Sequence, residues 1–184
     1  MDSTPKKQVA ISFLGTVLDS GFGQGRWQKW RPNVAMNQRH DFHLDRMGLF
    51  YAEKYRELAD HVKADIQDVS PHTAVNLVPM ELENPWDFSE VYTKLHDWAA
   101  GYTFDTEEET YLTHITTGTH VAQICLFLLV ESRQIPGVLL QTAPPKNQRR
   151  SMGKGDIGGY EIIDLDLARY DVLAERLAAV RDDA

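Results

Sequence analysis

The chain has 184 residues, 42% hydrophobic and 25% charged, which suits one domain, 1–184, with its own core and excludes a disordered or fibrous chain. A formal charge of −8 excludes a broad basic surface for duplex nucleic acid, but not a local anion site made of backbone amides. The single cysteine, Cys125, cannot pair internally, and the longest apolar run, 124–130, is far too short for a bilayer span, so a soluble cytoplasmic chain is expected.

Residues 8–15, QVAISFLG, are a β-rich run ending in glycine and read as a buried strand feeding a loop. A glycine-rich loop follows, and Pro32 suits the first turn of a short helix in RPNVAMNQ. Residues 42–51 alternate with period two, as a strand does. Over 53–70, Tyr55, Leu58, Ala59, Val62 and Ile66 share one face, which predicts an amphipathic helix stopped before Pro71. A strand at 73–82 comes next. The helix at 87–102 then carries Phe88, Val91, Tyr92, Leu95 and Trp98 at helical spacing, with Gly101 as its C-terminal cap. Residues 110–117 read as a strand, 119–133 as a helix, 137–145 and 160–167 as strands, and 170–183 as a closing helix. The loop at 145–159 shifts in composition without marking a domain boundary. Strands that alternate with helices predict an α/β fold, a mostly parallel sheet flanked by helices on both faces.

In such a sheet, ligands bind outside the carboxyl ends of the strands. Two turns there combine glycine with hydroxyls: FLGTVLDSGFGQG after the first strand, and HITTGTH, with Thr116, Thr117, Gly118 and Thr119, after the strand at 110–117. Bare backbone amides and hydroxyls suit a phosphate; equally, Thr117 or Thr119 serves as a helix N-cap and Gly118 as a tight turn. GFGQGRW lacks the dinucleotide spacing, and GKG at 153–155 lacks the phosphate-loop pattern. His114, inside a buried strand, is expected to be structural. His120, at a helix N-terminus, is expected to have a lowered pKa and to donate to an anion. His40 and His43 lack a third ligand at metal spacing, so no metal is expected.

RWQKWRP interleaves Arg26, Trp30 and Arg31 with further basic and aromatic residues. That run can stack bases and meet phosphates, or simply pack its tryptophans under a loop. The basic cluster Arg149, Arg150 and Lys154 is a lid over an anion or a solvated loop. The acidic run at 105–109 is expected to be solvated. The helix at 121–130 is apolar nearly all round, which predicts burial on both sides and a two-fold homodimer through it.

Taken together, ISFLGTVLDSG, RWQKWRPNVAM, NPWDFSEVY, HITTGTHVAQICLFLLVES, LLQTAPP and YEIIDLDLARYD resemble the N-terminal regulatory domain of the RtcR family, activators of an RNA-repair operon. That domain belongs to the CRISPR-associated Rossmann fold (CARF) group, and the resemblance covers nearly the whole chain. It implies a Rossmann-like sheet, a dimer, and an RNA-derived ligand held near the dyad without a cofactor. The contacts fall on a loop at Gly15 and Thr16 and a turn at Thr117, Gly118, Thr119 and His120. His120 departs from the lysine or arginine frequent in the group. The resemblance further implies an attached AAA+ ATPase, a sigma factor with RNA polymerase as partner, and a helix-turn-helix for DNA.

Two functions follow as expectations. The first is a sensor, not an enzyme, that binds an RNA end such as a 2′,3′-cyclic phosphate and relieves inhibition of the ATPase. The alternative is a metal-independent ring nuclease acting on cyclic oligoadenylate. A nicotinamide-dependent oxidoreductase would need the missing glycine fingerprint.

Overall fold

Every residue from Val9 to Phe13 is buried, so the first strand has no solvent face and must lie between two layers. The computed structural model, which describes residues 5–146 and 157–164, shows those layers. Six strands form one sheet: β1 (Lys7–Phe13), β2 (Arg46–Tyr51), β3 (Ala74–Pro79), β4 (Glu109–His114), β5 (Val138–Ala143) and β6 (Gly159–Ile163). Their spatial order is β3-β2-β1-β4-β5-β6, parallel throughout except for β6, which runs antiparallel to β5. The expected Rossmann-like, mostly parallel sheet is what the chain forms.

Strand pleating assigns alternate residues to two cores. Val9, Ile11 and Phe13 join Val91, Leu95, Leu126 and Leu129 of the helices α3 (Phe88–Gly101) and α4 (His120–Glu131). Ala10 and Leu14 join Val34, Leu58, Val62 and Ile66 of α1 (Pro32–Ala35) and α2 (Arg56–Val69). Ser12 is the one polar residue in this buried stretch of β1, and it becomes part of the site.

The structure refines several boundaries. The strand expected over 42–51 begins at Arg46. Phe42 and Leu44 are buried from a loop, which produces the period-two pattern without strand pairing. Gly101 does not cap α3; the helix runs through it and ends on an extended Tyr102. Tyr55 and Phe88, expected on buried helix faces, are 37% and 46% exposed; Tyr55 caps the amino end of α2 and Phe88 is the first residue of α3. In α4, Ile124 and Leu128 are 51% and 37% exposed, so the described residues do not cover that face of the helix. No helix among the described residues is long and apolar enough to cross a membrane. The helix expected over 170–183 lies outside the described residues, as do Arg149, Arg150 and Lys154.

Candidate functional site

The strand order places β1 beside β4, and the connections that leave their carboxyl ends run in opposite directions, to β2 and to β5, which opens a crevice. A cleft of about 550 Å³ occupies that position. Its lining comes from the ends of four parallel strands: Gly15 to Leu18 after β1, Lys54 and Tyr55 after β2, Glu83 and Trp86 after β3, and Thr116 to Thr119 after β4.

The capping reading of the second turn holds. Thr119 is the N-cap of α4, its hydroxyl accepting from the Ala122 amide at 3.1 Å and donating to the Pro85 carbonyl at 3.0 Å. Thr117 is buried and donates to the Phe13 carbonyl at 2.6 Å. Thr116 accepts from the Thr142 amide at 2.8 Å and donates to the Thr142 carbonyl at 3.1 Å. Gly118 has φ +89°, and a Cβ there would stand 3.1 Å from the Phe13 Cβ. All three hydroxyls therefore hold the turn. What the turn offers a ligand is backbone: the amides of Thr117, Gly118 and Thr119 make no hydrogen bond among the described residues.

The loop after β1 is arranged differently. The Gly15 amide donates to Asp19 Oδ2 at 2.8 Å, so it points away from the cleft. A Cβ on Gly15 would lie 2.7 Å from that same oxygen, which makes glycine necessary for the contact. Asp19 is fully buried and also accepts from the amide and side chain of Asn33. Burial pushes the Asp19 carboxyl above its usual pKa, opposed by the N–H donors of Asn33 and Gly15. All its partners there are N–H donors, so the ionised form fits them. Thr16 is exposed at the lip of the cleft.

A buried hydrogen-bond chain ties the two turns together beneath the cleft. Asn33 directs both side-chain N–H groups away, one to the Phe13 carbonyl and one to Asp19. Its oxygen therefore faces Ser12, whose hydroxyl donates to it at 2.6 Å. Ser12 then accepts from His114 Nδ1 at 2.8 Å, and His114 Nε2 accepts from the Thr142 hydroxyl at 2.8 Å. The network assigns the proton of His114 to Nδ1. Complete burial pushes the His114 pKa down to about 3, so the ring is neutral, the structural role expected of it.

In the run at 26–31 the two arginines are turned inward, while Trp27, Gln28 and Lys29 stay exposed. Asp65 on α2 binds Arg31 Nη1 at 2.6 Å and Arg26 through Nε and Nη2 at 2.9 and 3.0 Å. Burial raises the Asp65 carboxyl pKa, but the hydrogen bonds from Arg26 and Arg31 outweigh it and hold the carboxyl below its usual value. Arg31 is only 2% exposed and also donates to the Asp19 carbonyl, so it braces the loop rather than facing a ligand. Neither Arg26, Trp30 nor Arg31 lines the cleft. Trp30 is half-buried against Gly158 but Trp27 is 36% exposed, so of the alternative, a tryptophan pair packed under a loop, only Trp30 conforms.

His120 is exposed at the first position of α4 and does not line the cleft either. The cation that does is Lys54, whose Nζ lies 5.2 Å from the centre of the Tyr55 ring and which forms no ion pair among the described residues. Lys54, Tyr55, Glu83 and Trp86 escaped sequence reasoning because the loops after β2 and β3 carry no glycine-hydroxyl signature. The one available signal was topological: parallel strands at and near β1 deliver the residues after their carboxyl ends to the same crevice. No group of three or more His, Cys, Asp or Glu among the described residues could hold a metal ion.

Comparison with known proteins agrees with this geometry. The chain is 50% identical over 177 residues to the transcriptional regulatory protein RtcR of Escherichia coli strain K12. That match covers 96% of this chain but spans only 33% of the relative's length. Among solved structures, Enterococcus italicus Csm6 bound to cyclic hexa-2′-fluoro-hexa-dAMP aligns with a TM-score of 0.64 at 15% identity, over 97% of this chain and 47% of that one. Can2 from Sulfobacillus thermosulfidooxidans, in complex with cyclic tetra-adenylate, aligns at 0.48 and 14% identity over 74% of this chain and 32% of its own. The six-stranded Rossmann-like fold is thus one shared with Csm6. The profile of the RtcR family, described as regulator of RNA terminal phosphate cyclase, matches residues 6–184, and the chain belongs to that family.

Proposed function

We propose that this domain is the ligand-sensing part of a transcriptional regulator, and that an RNA end or short oligonucleotide occupies the carboxyl-edge cleft. The carrying observation is the composition of that cleft. Free amides of the Thr117–Thr119 turn and the ammonium of Lys54 suit a phosphate, while Tyr55 and Trp86 offer faces on which bases stack. The relationship to a transcriptional regulator and the shared fold with Csm6, solved with a cyclic oligonucleotide, support the reading.

In the full-length protein, ligand binding relieves inhibition of an attached AAA+ ATPase that acts on a sigma factor with RNA polymerase, while a further domain holds DNA. A ligand can do this only by binding the active arrangement better than the resting one. Pairing of two copies over the exposed Ile124 and Leu128 strip of α4 would bring two clefts towards one dyad. The cleft binds its ligand without cleaving it: His120 stands outside the lining, and the three threonine hydroxyls are already engaged.

The test is a titration of the chain with RNA ending in a 2′,3′-cyclic phosphate and, separately, with cyclic oligoadenylate, following Trp86 fluorescence and product formation together. Binding without turnover is expected, with Lys54→Ala weakening affinity about tenfold through loss of a charge-assisted contact. Turnover of cyclic oligoadenylate would move the assignment to a ring nuclease. Failure of both ligands to bind would remove the cleft from consideration.

A further inference from the structure

The arm from Glu83 to Asp87 leads from β3 into α3, and two of its residues, Glu83 and Trp86, line the cleft. All its backbone donors are engaged. The amides of Glu83 and Asn84 donate to Glu90 Oε1 and Oε2 at 2.5 and 2.9 Å. The Trp86 amide donates to Asn84 Oδ1 at 3.1 Å, the Asp87 amide to the Asn84 carbonyl at 2.9 Å, and Pro85 has no N–H. From the opposite wall, the Thr119 hydroxyl donates to the Pro85 carbonyl at 3.0 Å. This fully bonded arm carries an indole that is 62% exposed. A ring fixed in advance loses little freedom when a base stacks on it.

Glu90 has a role in the arm that helix capping does not require. Asp87 is the N-cap of α3 and accepts from the Glu90 amide at 2.8 Å. A glutamate three residues after an N-cap ordinarily reaches back to the N-cap amide. Here the Asp87 amide has another partner, and the Glu90 carboxylate passes over it to the two amides that open the arm. Capping α3 and anchoring the arm are thus separate tasks of separate side chains.

We propose that Glu90 is a positioning residue that acts through Trp86: its carboxylate fixes the arm so that the indole stands ready to stack on a base of the bound RNA. The inference rests on the functional reading above, since it takes the occupant of the cleft to be an RNA end.

The experiment titrates the chain with a short RNA ending in a 2′,3′-cyclic phosphate, and with the same RNA lacking the bases of its last two nucleotides. Glu90→Ala is expected to weaken the base-bearing RNA about tenfold, as loss of one base–aromatic stack does, and to leave the base-free RNA within about twofold. Trp86→Ala is expected to show the same loss, and the double variant no more than either alone. Glu90→Gln keeps an oxygen for one of the two amides and is expected to recover part of the affinity. Asp87→Ala should lower the thermal midpoint, as a lost N-cap does, while binding both RNAs like the unmodified chain. Equal losses for the two RNAs in Glu90→Ala, or additive losses in the double variant, overturn the proposal and leave the cleft an RNA site. So does an unchanged affinity in Glu90→Ala, or the same base-dependent loss in Asp87→Ala, which would assign the effect to the helix cap. If the unmodified chain binds neither RNA, the functional reading itself falls and this inference with it.

Discussion

The loop after β1 and the turn after β4 meet over one cleft, yet different chemistry holds each in place. The loop hangs on charge: Asp19 draws in Gly15 and Asn33, and Asp65 grips Arg26 and Arg31 from a neighbouring helix. The turn hangs on neutral groups: three threonine hydroxyls, one glycine in the left-handed region, and a neutral histidine below. Charge at a buried site is stable only while every partner is present, because the partner left behind has no water to turn to. A turn made of separate neutral bonds loses a contact at a time. The two walls of one site should therefore fail in different ways.

Asp65→Ala carries the largest expected effect, because it leaves Arg31 buried without its ion-pair partner. A loss of about 3–5 kcal/mol in chemical denaturation is expected. A loss near 1 kcal/mol would mean that the loop rearranges to hydrate the arginines, and the contrast between the walls would collapse. Gly118→Val is next: a β-branched residue forced to positive φ and into contact with Phe13 should destabilise by about 2–3 kcal/mol and abolish RNA binding. Unimpaired binding in a folded Gly118→Val variant would show that the turn is not a ligand wall.

Acid should act on the neutral wall through His114. Its folded pKa, near 3, lies below the 6.5 of the free side chain, so the unfolded chain takes up a proton that the folded chain refuses. Above about pH 6.5 the residue has no effect on stability. As pH falls from there towards about 3, stability should drop by about 1.4 kcal/mol per unit, measured from urea midpoints. His114→Gln should flatten that slope, and a slope unchanged in the variant would assign the acid sensitivity to other groups. The smallest effect is Thr119→Ala, about 1 kcal/mol for a lost N-cap, read as a shift in thermal midpoint. A shift several times larger would make the turn as brittle as the loop.

What the sequence discloses follows the same division. The neutral wall is legible because its signals are local: Thr119 precedes an apolar helical run by one residue, and Gly118 sits beside it. His114 could be read as structural from the strand around it. The charged wall is not legible, because Asp65 lies 34 residues beyond Arg31 and nothing in the run RWQKWR shows that it faces inward. The same distance hides Lys54 and Trp86, which reach the cleft only because β2 runs parallel beside β1 and β3 parallel beside β2. Alternating periodicity gives the order of strands and helices, but it misplaces Phe42 and Leu44 in a strand, since a buried loop can alternate as well.

The hydrogen-bond chain from Thr142 through His114, Ser12 and Asn33 to Asp19 makes the histidine a native reporter of the site. Its Nδ1 proton is sealed from solvent, so it exchanges with water only when the fold opens and should stand as a discrete low-field imidazole resonance. One end of the chain rests on the β1 loop and the other on the strand that anchors Thr116. A ligand that moves either wall must lengthen or shorten a link and displace that single signal, with no label added to the protein.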